Sequence, residues 1–242
     1  MRNFIITLAG ALLLANCGGS GSSSTSWKRD EMGHRPGPQG FRTVILDAGH
    51  GGKDSGAVSR STGAQEKDLA LDTAKRVQRK LSGKAKVILM RGNDQFIELD
   101  DRVDRASRKD GTILVSIHYN SGPSNLRGPE TYWWRVDSHG LATRIQQNLE
   151  KAVPSESGNR GQVRRRLRLT RNPNVPSVLV ECGYLSNSAE AQLCNNPRYR
   201  DKLASAIADA ILDQQRHGDS GTGPLPRPIN APPSRPTDAP GS

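Results

Sequence analysis

Long apolar runs, cysteines and aromatics are all scarce in this chain. The longest apolar stretch is the 12-residue FIITLAGALLLA near the start. That is too short to cross a bilayer as a helix, and it follows Arg2 as the apolar core of a signal peptide does. Cysteines number 3 and aromatics make up 4% of residues, which excludes a disulfide-stapled scaffold. Acidic residues are outnumbered, 24 against 35 Lys and Arg, so the chain carries a net charge of +11. Apolar residues reach only 33%, and the mean hydropathy is −0.66. The ends account for much of that low value. Residues 18–41 are rich in Gly, Ser and charge and read as a flexible linker. Residues 216–242 read as a disordered Pro/Gly-rich tail, holding 7 of the 15 prolines. Neither end can bury enough apolar surface to offset the entropy of ordering it. Between them, 42–215 reads as one globular domain.

Residues 1–17 form a separate object. Leu14-Ala15-Asn16-Cys17 resembles the lipobox of bacterial lipoproteins, which makes Cys17 the lipidation site. An ordinary secretory signal is the alternative, and either reading exports the domain. The lipoprotein reading tethers it to a membrane through the acyl chains, and Gly18 after the Cys resembles the signal for outer-membrane sorting, which implies the periplasmic face of that membrane. Cys182 and Cys194 are then the remaining thiols, paired or separate. Arg160, Arg164, Arg165, Arg166, Arg168 and Arg171 crowd 12 residues. For an exported protein this field suits anionic wall polymers, lipid headgroups or substrate carboxylates rather than nucleic acid. A solvated face with no partner is the alternative.

No internal repeat is visible. Apolar strands are expected at 42–46, 85–90, 112–118, 130–134 and 177–181, with a half-buried edge strand at 166–170. Helical spacing marks 65–82, 98–109, 139–153 and 198–216. Strands and helices alternate and the central strands are continuously apolar, which predicts an α/β domain with helices on both faces.

Three of the strands end in chemistry. The stretch 42–46 runs into Asp47-Ala48-Gly49-His50, 112–118 ends at His118 before Tyr119-Asn120, and 177–181 ends at Glu181. Open α/β sheets bind ligands beyond the carboxyl ends of their strands. Glu66 opens the first helix, directly after the Gly-rich loop that holds His50. Two imidazoles and a carboxylate make a zinc site with an open fourth position, and a second carboxylate supplies a general base. Gly49, Gly51 and Gly52 let the chain turn tightly around His50. Each residue alone has an ordinary explanation: a packed His, a Glu at a helix start, an ion-pair partner. Their joint placement at strand ends favours the metal. The loop matches neither phosphate-binding glycine pattern. His34, His139 and His217 are given no role, and Tyr132-Trp133-Trp134 line either a glycan groove or the core.

At these residues the chain resembles the zinc-dependent type-3 N-acetylmuramoyl-L-alanine amidases. ILDAGHGGKDSGA is similar to their first zinc motif, QEKDLAL to their second and LVSIHYN to their third. PSVLVECGYLSN resembles the segment with their catalytic Glu, and MRGND and ELDDRVDRAS resemble the linking region. Ala48, Ser55 and Tyr184 depart from the usual residues without touching a presumed ligand. The resemblance implies a twisted six-stranded mixed sheet flanked by helices. It also implies Zn²⁺ held by His50, Glu66 and His118, with Glu181 as the catalytic base. The implied reaction cleaves the amide between N-acetylmuramic acid and L-Ala of peptidoglycan. Asn120, Arg164 and Arg166 are candidates for holding substrate. No occluding helix is evident between His118 and Glu181, so an open site is expected, in a monomer whose activator, if any, is unspecified. A non-catalytic wall-binding lipoprotein and a zinc peptidase acting on stem peptides are the rival functions.

Overall fold

The computed structural model describes residues 36–107, 111–227 and 229. Cys17, the leader and most of the 18–41 linker lie outside the described residues. The elements run β1 (Thr43–Ala48), α1 (Glu66–Leu81), β2 (Lys86–Leu89), α2 (Leu99–Ser107), β3 (Thr112–Asn120) and β4 (Glu130–Trp133). They continue with α3 (His139–Ala152), β5 (Gln162–Arg164), α4 (Arg168–Arg171), β6 (Ser177–Tyr184), α5 (Ser188–Asn195) and α6 (Pro197–His217). The six strands form one sheet in the order β2-β1-β3-β6-β4-β5. Strands β2, β1, β3 and β6 are mutually parallel, while β4 runs antiparallel to β6 and parallel to β5. The expected six-stranded mixed α/β sheet is therefore present.

Alternation along the strands divides the core in two. Val44, Leu46, Ile113, Val115, Ile117, Val178 and Val180 face one way, onto Leu69, Ala74 and Val77 of α1, Leu141 and Ile145 of α3, and Leu203 and Ile207 of α6. Ile45 and Leu114 face the other way, with Ala106 of α2 and Leu169 of α4. This second layer is thinner. Its strand positions turn polar towards the carboxyl edge: Asp47 follows Ile45, Ser116 and His118 follow Leu114, and Glu181 follows Leu179. Those four polar residues therefore open on the α2/α4 face.

The expected edge strand at 166–170 is a correction. The edge strand lies earlier, at Gln162–Arg164, and Arg168–Arg171 form one helical turn. Thr170 is the reason: its Oγ1 donates to Arg165 O at 2.7 Å and accepts from Leu167 N at 3.1 Å, which pins a turn. The Leu-Arg-Leu alternation is real but only Leu169 enters the core. Helix α5 was not expected, since only Ala191 and Cys194 mark its apolar side; Asn187 caps it by accepting from Glu190 N at 3.0 Å.

The packed body also exceeds 42–215. Gly37, Pro38 and Phe41 are buried, and Gly37 N donates to Asp219 Oδ2 at 2.6 Å beyond α6. Arg144 fastens the same turn by donating to Gly218 O at 3.0 Å. Cys182 and Cys194 are free and buried. Among the described residues no helix is long and apolar enough to cross a membrane.

Candidate metal centre

Pairing register places the polar residues in a row across the sheet. His118 of β3 stands opposite Glu181 of β6, and Glu181 stands opposite Glu130 of β4. On the other side Gly49 N donates to Ile117 O at 3.0 Å, which sets Gly49 beside His118. A Cβ on Gly49 would collide with the His118 imidazole. The glycine before His50 is thus needed for space, not for an unusual backbone angle. The unusual angle falls on His50 itself, at φ 58°, a left-handed conformation costly for a residue with a Cβ.

Buried arginines hold His50 in that conformation. Arg91, 1% exposed, donates to Ala48 O at 2.9 Å, Gly49 O at 2.7 Å and Lys67 O at 2.7 Å. Arg102, 3% exposed, donates to Ala48 O at 2.9 Å and His50 O at 2.7 Å and pairs with the fully buried Asp47. Ser116 Oγ donates to the other Asp47 oxygen at 2.6 Å. These contacts account for MRGND and ELDDRVDRAS, which supply the two guanidinium groups. Asp94 completes the brace by accepting from Gly52 N at 2.7 Å and Lys67 Nζ at 2.8 Å.

The loop then returns to bring Glu66, first residue of α1, under both imidazoles. Glu66 Oε1 lies 3.0 Å from His50 Nε2 and 2.8 Å from His118 Nδ1. One donor atom from each of the three residues lies within 4.8 Å of the others. A tetrahedral ion bound at about 2.0–2.2 Å needs its donors roughly 3.3 Å apart, so this set is close to a coordination face. Glu66 is fixed by its remaining bonds: Oε2 accepts from Ala57 N at 2.8 Å and Oε1 from Tyr119 N at 3.1 Å. Burial raises its pKa, but the hydrogen bonds and charges of His118 and His50 outweigh that and hold it well below the usual carboxylate range. The same contacts raise His50, against the lowering effect of burial.

Asp54 was missed by sequence reasoning. His50 Nδ1 lies 2.8 Å from Asp54 Oδ2, so the neutral ring with its proton on Nδ1 would leave Nε2, on the Glu66 side, free to ligate a metal. A carboxylate on the far nitrogen of a ligating imidazole is the usual outer-shell arrangement at zinc. The signal was legible as a carboxylate four residues after the His in a tight glycine loop. Asp54→Ala is expected to weaken metal affinity by about 10- to 100-fold, measured by competition with a chelating dye. Unchanged affinity would assign Asp54 to loop structure alone.

Glu181 is buried, and its Oε2 has no hydrogen-bond partner. Burial pushes its pKa well up, and the charges of Glu66 and Glu130 push it further, against a lowering by Arg165. Beside it, Glu130 Oε2 accepts from Tyr132 Oη at 2.8 Å and Tyr184 Oη at 2.9 Å. Asn120 Nδ2 reaches Tyr184 Oη at 3.2 Å, at the carboxyl end of β3. Arg164 lies elsewhere. It donates to Trp134 O at 3.0 Å and to Arg227 O, with its guanidinium over Trp133 and Trp134. Arg166 is half-buried in the link between β5 and α4. Trp133 belongs to the core, whereas Tyr132 is on the Glu181 side of the sheet.

A cleft of about 570 Å³ opens above His50 and His118, between the 96–100 segment and α4. The site is open, with the His50 side chain 24% exposed.

At the carboxyl edge of this α/β sheet, His50, Glu66 and His118 form a cluster that could hold a metal ion. Residues 44–213 match the N-acetylmuramoyl-L-alanine amidase family, and the chain belongs to it. It is 37% identical over 175 residues to YqiI of Bacillus subtilis, covering 70% of this chain and 83% of that one. It is 33% identical over 178 residues to N-acetylmuramoyl-L-alanine amidase LytC of the same organism, covering 72% of this chain but 36% of LytC. The catalytic domain of CwlV, an N-acetylmuramoyl-L-alanine amidase of Bacillus (Paenibacillus) polymyxa var. colistinus, superposes with a TM-score of 0.68 at 36% identity. That superposition covers 71% of this chain and 97% of the domain.

Proposed function

We propose that this chain hydrolyses the amide between N-acetylmuramic acid and L-alanine of peptidoglycan, with Zn²⁺ held by His50, Glu66 and His118 and with Glu181 as general base. The convergence of those three donor atoms, with Glu181 paired to His118 across the sheet, carries the reading. Family membership supplies the substrate. The donor set fits zinc: two imidazoles and one carboxylate, with Asp54 behind one imidazole. When bound, Zn²⁺ supplies Lewis-acid polarisation and lowers the pKa of water from 15.7 towards about 7.

The protein's own part follows from its side chains. Glu181, next to His118 in the sheet, takes the proton of the attacking water on its carboxylate and returns it to the departing L-Ala nitrogen. Burial and the charges of Glu66 and Glu130 raise its pKa, the direction that favours holding the proton between the two transfers. Asn120, at the end of β3, is retained as a substrate contact. Arg164 turns its Nε and Nη1 to Trp134 O and Arg227 O and stays a weaker candidate for holding substrate. The leader and Cys17 complete the reading as export and a lipid tether that hold the domain beside the wall.

Digestion of purified sacculi by the zinc-loaded protein tests this. Free stem peptides beginning with L-Ala, together with stripped glycan strands, are expected. Cuts inside the stem would move the protein to the peptidases, and intact sacculi would make it a wall-binding protein.

A further inference from the structure

Two arginines line the cleft above the metal site, Arg102 and Arg168. Arg102 has a partner on every nitrogen: its Nε donates to Ile97 O at 3.1 Å and its other nitrogens hold Asp47, Ala48 O and His50 O. Arg168 is not. Its side chain is 11% exposed and its Nη2 meets Asp100 Oδ1 at 2.7 Å, but its Nε is buried with no hydrogen-bond partner. A guanidinium presents Nε and one terminal nitrogen along one edge as a two-pronged fork, matched to the two oxygens of a carboxylate. Asp100 fills one prong with one oxygen and leaves the other empty.

Asp100 is also a weak occupant. It is 65% exposed at the start of α2, and exposed ion pairs of this kind contribute little. Phe96, Ile97 and Leu169 wall the cleft around Arg168. A carboxylate entering there leaves water for a less polar surrounding, where its attraction to a guanidinium is stronger.

We infer that Arg168 receives a carboxylate of the substrate's peptide stem, in exchange for Asp100, and so selects stems that carry a free acid over amidated ones. This rests on the amidase reading for the identity of the substrate. Peptidoglycan stems offer such a group at the second residue, where it is sometimes amidated, and at the stem's own carboxyl terminus.

The test is calorimetric. Zinc-loaded full-length protein carrying Glu181→Gln, which prevents turnover, is titrated with N-acetylmuramoyl-tripeptide. It is also titrated with the same molecule amidated at the second residue and with one amidated at the terminus. Binding of the free acid is expected to be about 10- to 100-fold tighter than that of one amidated form, the scale of a charge-assisted bond, and that form identifies the carboxylate. Adding Arg168→Ala should abolish the difference. Adding Arg168→Lys should restore part of it, and adding Asp100→Asn should tighten the free acid. The inference is overturned if Arg168→Ala weakens acid and amide equally, if it changes neither, or if no muropeptide binds. Sacculus digestion by the wild-type protein, read separately, shows whether the amidase reading falls with it.

Discussion

Glu181→Gln is expected to lower kcat by about 10²- to 10⁴-fold, the usual contribution of a positioned general base, while metal content stays at one ion per chain. The amide is nearly the same size as the carboxylate, so the strand register with His118 and Glu130 should hold. What it loses is the capacity to take a proton. Replacing Glu181 also removes a carboxylate whose charge is disfavoured by burial and by Glu66 and Glu130, so the variant should be at least as stable as the parent. Loss of activity with gain or retention of stability separates a base from a structural residue. A variant with normal kcat would remove Glu181 from the reaction.

Removing the metal should have the other large effect. Chelation is expected to bring amidase activity to background, with recovery on adding Zn²⁺. It should also lower thermal stability, because the ion binds the folded chain alone. At free metal near 1,000 times Kd the linkage is about 4 kcal/mol. For a domain of this size that corresponds to a fall in Tm on the order of 10 °C. Calorimetry with and without chelator measures it. The affinity should depend on pH in a defined direction. His50 binds metal without its proton, and its pKa is raised, so acidification restores the competing proton and weakens binding. Affinity that is flat through that range would show that His50 is not a ligand.

Much of this site was legible before any coordinates because strands announce their ends. An apolar run such as TILVSIH has one reason to stop at His and another to place it at the carboxyl edge, and the same logic applies to His50 and Glu181. Glu66 was legible from the loop that precedes α1. The alternation of strands with amphipathic helices gave the layering, and resemblance supplied the strand count. What was not legible depends on contacts between distant residues. Arg91 and Arg102 look like surface charges on MRGND and ELDDRVDRAS, yet both are buried, because their donors satisfy the carbonyls of a loop more than 40 positions away. The short helix at 168–171 was misread as a strand because period-two alternation over five residues cannot register Thr170 bonding back to Leu167. Arg164 and Arg168 are alike in sequence. Only the fold places one against two tryptophans and the other in the cleft.

His50, Glu66 and His118 are proposed to hold one ion together. A crystal of the zinc-loaded protein, with data collected at the zinc absorption edge, tests this directly. One anomalous peak is predicted, about 2.0–2.2 Å from His50 Nε2, Glu66 Oε1 and His118 Nδ1. A peak elsewhere, or one that leaves any of these three side chains out of reach, would contradict the account.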